Sequence, residues 1–239
     1  MEKSKKIKIY IGIFYSILLF SFLFIIFSKF SFEEITSYSF IQINKDKLMN
    51  FKETNLIFTV TIFIILTIFW VFLLGFASPI ALIGGFIFGK WLGTILVTLS
   101  LSLGATLFYV LANYFFKDLI IEKFSKKFSK LKEKFKNNEF SFFLIYRFIG
   151  GIPFSISNIL PVLFNIKVKN FFFGSLIGMA PQLFIGASIG EGIEKIIYLN
   201  EEAPSFLTIV NSKDIYIPII FFIFFIILTY LLRKKFYKD

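Results

Sequence analysis

A single charge, Arg147, stands in the 142–164 stretch FFLIYRFIGGIPFSISNILPVLF, and no other falls between Glu139 and Lys167. An arginine in apolar surroundings has one chemistry that lysine lacks. Its planar guanidinium can hold a phosphate through two parallel hydrogen bonds. A charge near the centre of a bilayer costs about 2.5–3.5 kcal/mol on insertion scales, so Arg147 is expected to face the interior, a cavity or a phosphate rather than lipid tails. Two structural readings stand beside that one. Arg147 ties down carbonyls freed by the backbone break that follows, or it snorkels to an interface from the start of its segment. Asn158 is either a headgroup contact or the cap of a half-helix. Gln182, mid-span beside Pro181, is a candidate groove-lining group. Glu191, just past the uncharged run 170–190, is a gate or ion partner, or else a solvated loop acid.

Other chemistries are excluded by composition. The chain has no Cys and no His, which removes thiolate chemistry, disulfides, imidazole bases and the usual zinc sites. Neither an enzyme activity nor a cofactor or metal is expected. The net charge of +11 would suggest nucleic acid in a soluble protein. Here the lysines flank apolar spans, so anionic lipid headgroups are the expected partners and nucleic acid is not. Arg147 and Arg233 are the only arginines among 26 basic residues.

The elements that must position these groups are membrane helices. The chain is 57% hydrophobic and only 17% charged, against about 25% charged in a typical soluble domain. After Lys3, Lys5, Lys6 and Lys8, residues 9–27 form an apolar run long enough to span a bilayer, and no small-residue cleavage signal follows it. Residues 56–89 carry no charge. Within them 56–74 read as an ordinary spanning helix, and GFASPIALIGGFIFG reads as two short helical pieces meeting at a turn, shaped by Gly75, Pro79, Gly84, Gly85 and Gly89. Residues 91–116 are a further span. Between 117 and 139, apolar residues at 121, 124, 128, 131 and 135 predict an amphipathic helix with a lysine face, lying on anionic headgroups or packed on the protein. Residues 215–232 form the last span, followed by Arg233, Lys234, Lys235 and Lys238.

The charge bias puts the N-terminus, 117–139 and the C-terminus on the cytoplasmic side and the acidic stretch 191–214 outside. Three spans and a non-crossing hairpin before residue 117 would reverse that order, so the crossing count of the first half stays open. The expected architecture is an all-α integral membrane protein, a polytopic helical bundle with two inverted re-entrant hairpins at about 75–91 and 147–165. Broken segments at matching places in two halves point to a transport-type site, because irregular backbone at membrane depth must face protein or a water-filled cavity. The expected division is 1–55 (first span and connection), 56–195 (hairpin domain) and 196–239 (outer loop, last span and basic tail).

The stretches SPIALIGGFIFGKWLGTILVTLSLSLGATLFYVLANYFFKD and FLIYRFIGGIPFSISNILPVLFNIKVKNFFFGSLIGMAPQLFIGASIG together resemble the SNARE-associated Golgi protein family, the VTT-domain branch of the DedA superfamily. Pro79, Gly84, Gly85, Phe88 and Gly89 match the first hairpin of that family, and Gly104-Ala105-Thr106 its small-residue patch. Arg147, Pro153, Phe154 and Asn158 match the second hairpin. Gly150, Val162 and Asn113 depart from the usual residues, and 75–91 holds no acid of the kind thought to couple protons in distant relatives. The resemblance implies two opposed hairpins and lipid handling. The expected function is a flippase or scramblase of phospholipid or polyprenyl-phosphate, and the expected location a bacterial plasma membrane. A secondary transporter of a small anionic solute and a non-transporting scaffold are the alternatives.

Overall fold

The computed structural model describes residues 10, 14, 17, 21, 38–73, 75–124, 138–199 and 205–236. The expected first span and most of the lysine-rich 117–139 helix lie outside them. Two compact units are present, Met1–Asn50 and Phe51–Asp239. Helix α1 (Tyr38–Thr54) carries the chain over that boundary. The second unit holds α2 (Leu56–Phe72), α3 (Ala77–Phe124), α4 (Glu139–Ile149), α5 (Phe154–Ile159) with the 3₁₀ turn Leu160–Phe164, α6 (Val168–Leu199), α7 (Phe206–Asn211) and α8 (Lys213–Phe236). No strand occurs among the described residues. The chain is an all-α membrane protein, and Ala77–Phe115 and Val168–Leu199 are long and apolar enough to cross a bilayer.

α3 is not one straight rod. Gly89 sits at φ 76° and ψ 171°, a region open essentially to glycine alone. There residues 77–88 fold back on residues 90–124. A Cβ on Gly93 would lie 2.5 Å from the Gly84 carbonyl oxygen, and Gly84 packs on Val97. A continuous helix would hold positions 84 and 97 about 20 Å apart.

The short arm 77–88 also packs antiparallel on α2. The Phe63 and Phe88 rings meet edge to face at 5.3 Å, and the tip between the helices is closed at Trp70, whose Nε1 donates to the Phe76 carbonyl at 2.8 Å. This corrects the reading of 75–91 as a hairpin of two short pieces: 77–88 is one helix that packs back along α2. α2 is the first arm of the hairpin, its tip lies at 73–76, and the return arm continues through Gly89 into a long helix that reaches Phe124 rather than ending at 116.

The second half repeats the pattern. α4 descends to a tip at Gly150-Gly151, both at positive φ. α5 and the 3₁₀ turn then return antiparallel to it. Tyr146 Oη donates to the Ser157 carbonyl at 3.1 Å and clasps the two arms. Asn165, at φ 52°, marks the break before α6. This hairpin therefore runs from Glu139 to Phe164, wider than 147–165. One sequence offset relates Trp70 to Tyr146, Gly75 to Gly151 and Gly89 to Asn165.

The halves meet along α6. Gly174, Gly178, Gln182, Gly186 and Gly190 fall four residues apart on one face. Small residues there let backbones approach closely. Phe143 and Arg147 of α4 sit over Gly174 and Gly178, and Ala81, Leu82 and Gly85 of the short arm sit over Gly186, Ala187 and Gly190. The two hairpins enter from opposite ends and their tips converge beside Gln182, near the middle of α6.

Candidate functional site

Each hairpin return arm is eleven or twelve residues long, about 16–18 Å at helical rise, or about half of a 30 Å hydrocarbon core. Tips at that reach stop mid-bundle. Between them lies a cavity of about 490 Å³. Phe76, Ser78 and Ala81 line it from the first hairpin, Tyr146, Arg147, Gly150 to Phe154 and Ser157 from the second, and Gln182 with its neighbours from α6. Its wall is mostly apolar. Phe76 at the rim is 63% exposed and Phe222 of α8 is 44% exposed, so apolar side chains border it toward the outer face.

Arg147 lies within one turn of the tip and is 3% exposed. Snorkelling is therefore not what it does. Its Nε donates to Ser175 Oγ at 3.0 Å, one terminal nitrogen to Ser157 Oγ at 2.9 Å, and the other to Asn158 Oδ1 at 2.8 Å. The guanidinium carbon lies 4.9 Å from the Phe171 ring centre and 5.2 Å from that of Phe143. Those rings belong to a stack that continues to Tyr109, 4.4 Å from Phe171. Arg147 thus fastens both arms of the second hairpin to α6. Its acceptors are all neutral, and no carboxylate pairs with it among the described residues. A guanidinium has five N–H donors, and three are accounted for by these bonds. The positive charge at the cavity wall is met by neutral acceptors and two aromatic faces, with no carboxylate beside it among the described residues.

The other candidates sort by position. Asn158 is 1% exposed and turned to Arg147 rather than into the cavity wall, and its Nδ2 has no acceptor among the described residues. Gln182 lines the cavity, and its Oε1 would lie 3.4 Å from a Cβ on Gly150. Pro153 is the N-cap of α5 and, with Phe154, forms part of the wall. Pro79 lies in the first turn of the short arm, while Gly84 and Gly85 make its two backbone crossings. Glu191 is far from the cavity centre. It accepts the Lys90 amide at 3.0 Å and pairs with Lys195 at 3.1 Å, and Lys195 also reaches Asp214 at 2.9 Å.

Several partners escape sequence inspection. Ser157 and Ser175 bind Arg147 across 10 and 28 residues. Glu139 accepts the Lys167 amide at 2.7 Å and Asn170 Nδ2 at 2.8 Å. None of these pairs has a spacing signature. The half-related positions to Arg147, Ser157 and Asn158 are Val71, Ala81 and Leu82, so the polar cluster exists in one half only.

Two opposed re-entrant hairpins, packed on a long small-residue helix and meeting at a mid-bundle cavity, define a helical membrane protein of the inverted-repeat type. Residues 75–192 match the model of the VTT domain. The chain belongs to that family, within the DedA superfamily. It is 23% identical over 156 residues to a transmembrane protein 41 homologue of Caenorhabditis elegans, covering 62% of each chain. It is 24% identical over 163 residues to one from Dictyostelium discoideum, covering 65% of this chain and 48% of that one. Transmembrane protein 41B of Xenopus tropicalis is 26% identical over 161 residues, with 64% and 57% covered. The match thus spans about half to three-fifths of the curated relatives' own length. No solved structure matches it.

Proposed function

We propose that this protein moves lipids between leaflets, the headgroup crossing through the cavity between the hairpin tips while the acyl tails stay in the bilayer. One observation carries the reading: a mid-bundle cavity with mostly apolar walls and a buried guanidinium that no carboxylate pairs with among the described residues, bordered by exposed phenylalanines. The guanidinium charge favours anionic headgroups, with phospholipid or polyprenyl-phosphate as substrate classes. The side chains bind and shield; no covalent step is invoked. This agrees with what the family resemblance implies.

The topology belongs to the same proposal. With α2 as a hairpin arm, the span expected from sequence at 9–27 and the helix 90–124 are the crossings before the lysine-rich segment. The basic termini and 117–139 then fall on one side and 191–214 on the other, as the positive-inside rule asks. A plasma-membrane protein with both termini cytoplasmic fits that order.

The test is reconstitution into liposomes carrying a fluorescent phospholipid in both leaflets, scored by the fraction a surface quencher can reach. Purified protein should raise exchange well above protein-free vesicles. Gln182→Leu removes a cavity-lining amide that no hydrogen bond to Arg147 depends on, and it should slow exchange. Folded protein that exchanges neither phospholipid nor polyprenyl-phosphate would sink the proposal.

A further inference from the structure

Resting on that reading, we propose that α8 is the lateral gate of the cavity, with Phe222 as its closing side chain and Pro218 as its hinge. Among the described residues, every other lining residue belongs to the hairpins or to α6, and Phe222 is the sole contribution of α8 to the wall. Like Phe76 it both lines the cavity and is exposed, as a side chain must be where a headgroup enters from the bilayer with its tails left behind.

The anchoring of α8 is lopsided. Its foot is fixed: Asp214 is held by Lys195 at 2.9 Å, Ile215 is 4% exposed, and Gly192 of α6 abuts the Asp214 carbonyl. Pro218 lies one turn on, inside the helix. Having no N–H, it leaves that carbonyl without its helical donor and loosens the turn. Beyond Pro218, Phe225 is the one buried side chain among those described, meeting Phe148 edge to face at 5.2 Å. Ile220, Phe221, Ile223 and Phe224 are exposed. A pinned foot, a proline and a shaft with one buried side chain among those described make a strap that can swing about Pro218, at the expense of the Phe225–Phe148 contact.

The chain has no cysteine, so engineered thiols report alone. Ser78→Cys and Phe222→Cys, joined by a reversible bis-methanethiosulfonate of stepped lengths, should lock strap to hairpin. Lipid exchange in phosphatidylcholine–phosphatidylglycerol vesicles should then fall about five-fold or more and return on reduction, as for a lid that limits turnover. Phe222→Ala should speed exchange about two- to five-fold, and Phe222→Trp should slow it, each with unchanged thermal unfolding. Full exchange by the locked protein, beside an active parent, overturns the gate and leaves lipid movement standing. If the parent exchanges nothing, lipid movement fails and the gate is read from Ile189→Cys labelling by a membrane-permeant maleimide. Labelling faster with Phe222→Ala and slower with Phe222→Trp supports it; equal rates overturn it.

Discussion

Glu191 accepts a hydrogen bond from the Lys90 amide at 3.0 Å across 101 residues of sequence. At the other end of the bundle Glu139 accepts the Lys167 amide at 2.7 Å. Each carboxylate meets the start of a long helix just past a positive-φ break, Gly89 in one half and Asn165 in the other. The first amides of a helix have no partner inside it, and a carboxylate there also meets the positive end of the helix dipole.

Glu191→Ala should therefore lower stability by about 1–2 kcal/mol, the usual worth of an N-terminal cap. Glu191→Gln, which keeps an acceptor, should lose clearly less. Unfolding in detergent, followed by thermal shift, checks both. Equal losses for Ala and Gln would assign the effect to the Lys90 and Lys195 ion pairs instead.

Gly89 separates backbone strain from crowding. A Cβ there meets nothing within 4 Å, yet its backbone angles suit glycine alone. Gly89→Ala is expected to cost about 1–3 kcal/mol through strain only. Gly178→Ala, at an ordinary helical angle, should cost a similar amount for the opposite reason, since its Cβ would lie 2.7 Å from the Arg147 Cβ and 2.8 Å from the Leu144 carbonyl oxygen. A neutral Gly89→Ala would mean that the fold-back relaxes.

Much of this arrangement is legible in sequence, and its limits have physical causes. Gly150-Gly151 and Gly89 announce turns because positive φ is expensive for other residues. The membrane class follows from long uncharged runs. Residues 56–74 do not declare their path in sequence, because an apolar helix that crosses and one that turns back halfway share the same composition. The Phe63–Phe88 contact and the Trp70 clasp at the tip show what sequence could not, that the return arm packs back along α2. Arg147 stands out in sequence as a lone charge, but its acceptors lie up to 28 residues away and carry no periodicity. Its depth followed from the tertiary fold, which put it near the hairpin tip instead of at the entrance.

Arg147→Lys should be severe for the fold as well as the site. A lysine ammonium cannot satisfy Ser157, Ser175 and Asn158 together, and each orphaned buried group costs about 1–3 kcal/mol. A loss of about 2–4 kcal/mol is expected, against about 1 kcal/mol for Ser175→Ala, which removes one neutral acceptor. Thermal unfolding in detergent measures both. Because Arg147 also pins the hairpin, slower lipid exchange in its variants is informative only at temperatures where they remain folded.

The fold-back of α2 makes a prediction about sidedness that composition alone would get backwards. If Leu56–Phe72 and residues 77–88 form one hairpin, Thr54 lies on the same side of the membrane as Tyr198, and Lys169 lies opposite. If 56–74 crossed and 75–91 did not, Thr54 would instead share a side with Lys169. All three side chains are exposed. Single-cysteine variants Thr54→Cys, Tyr198→Cys and Lys169→Cys, in sealed vesicles of known orientation, can be probed with a membrane-impermeant maleimide before and after permeabilisation. The first two should label from one face and the third from the other. Shared labelling of Thr54→Cys and Lys169→Cys would show that α2 crosses, and the cavity would then lie between one hairpin and a span rather than between two opposed tips.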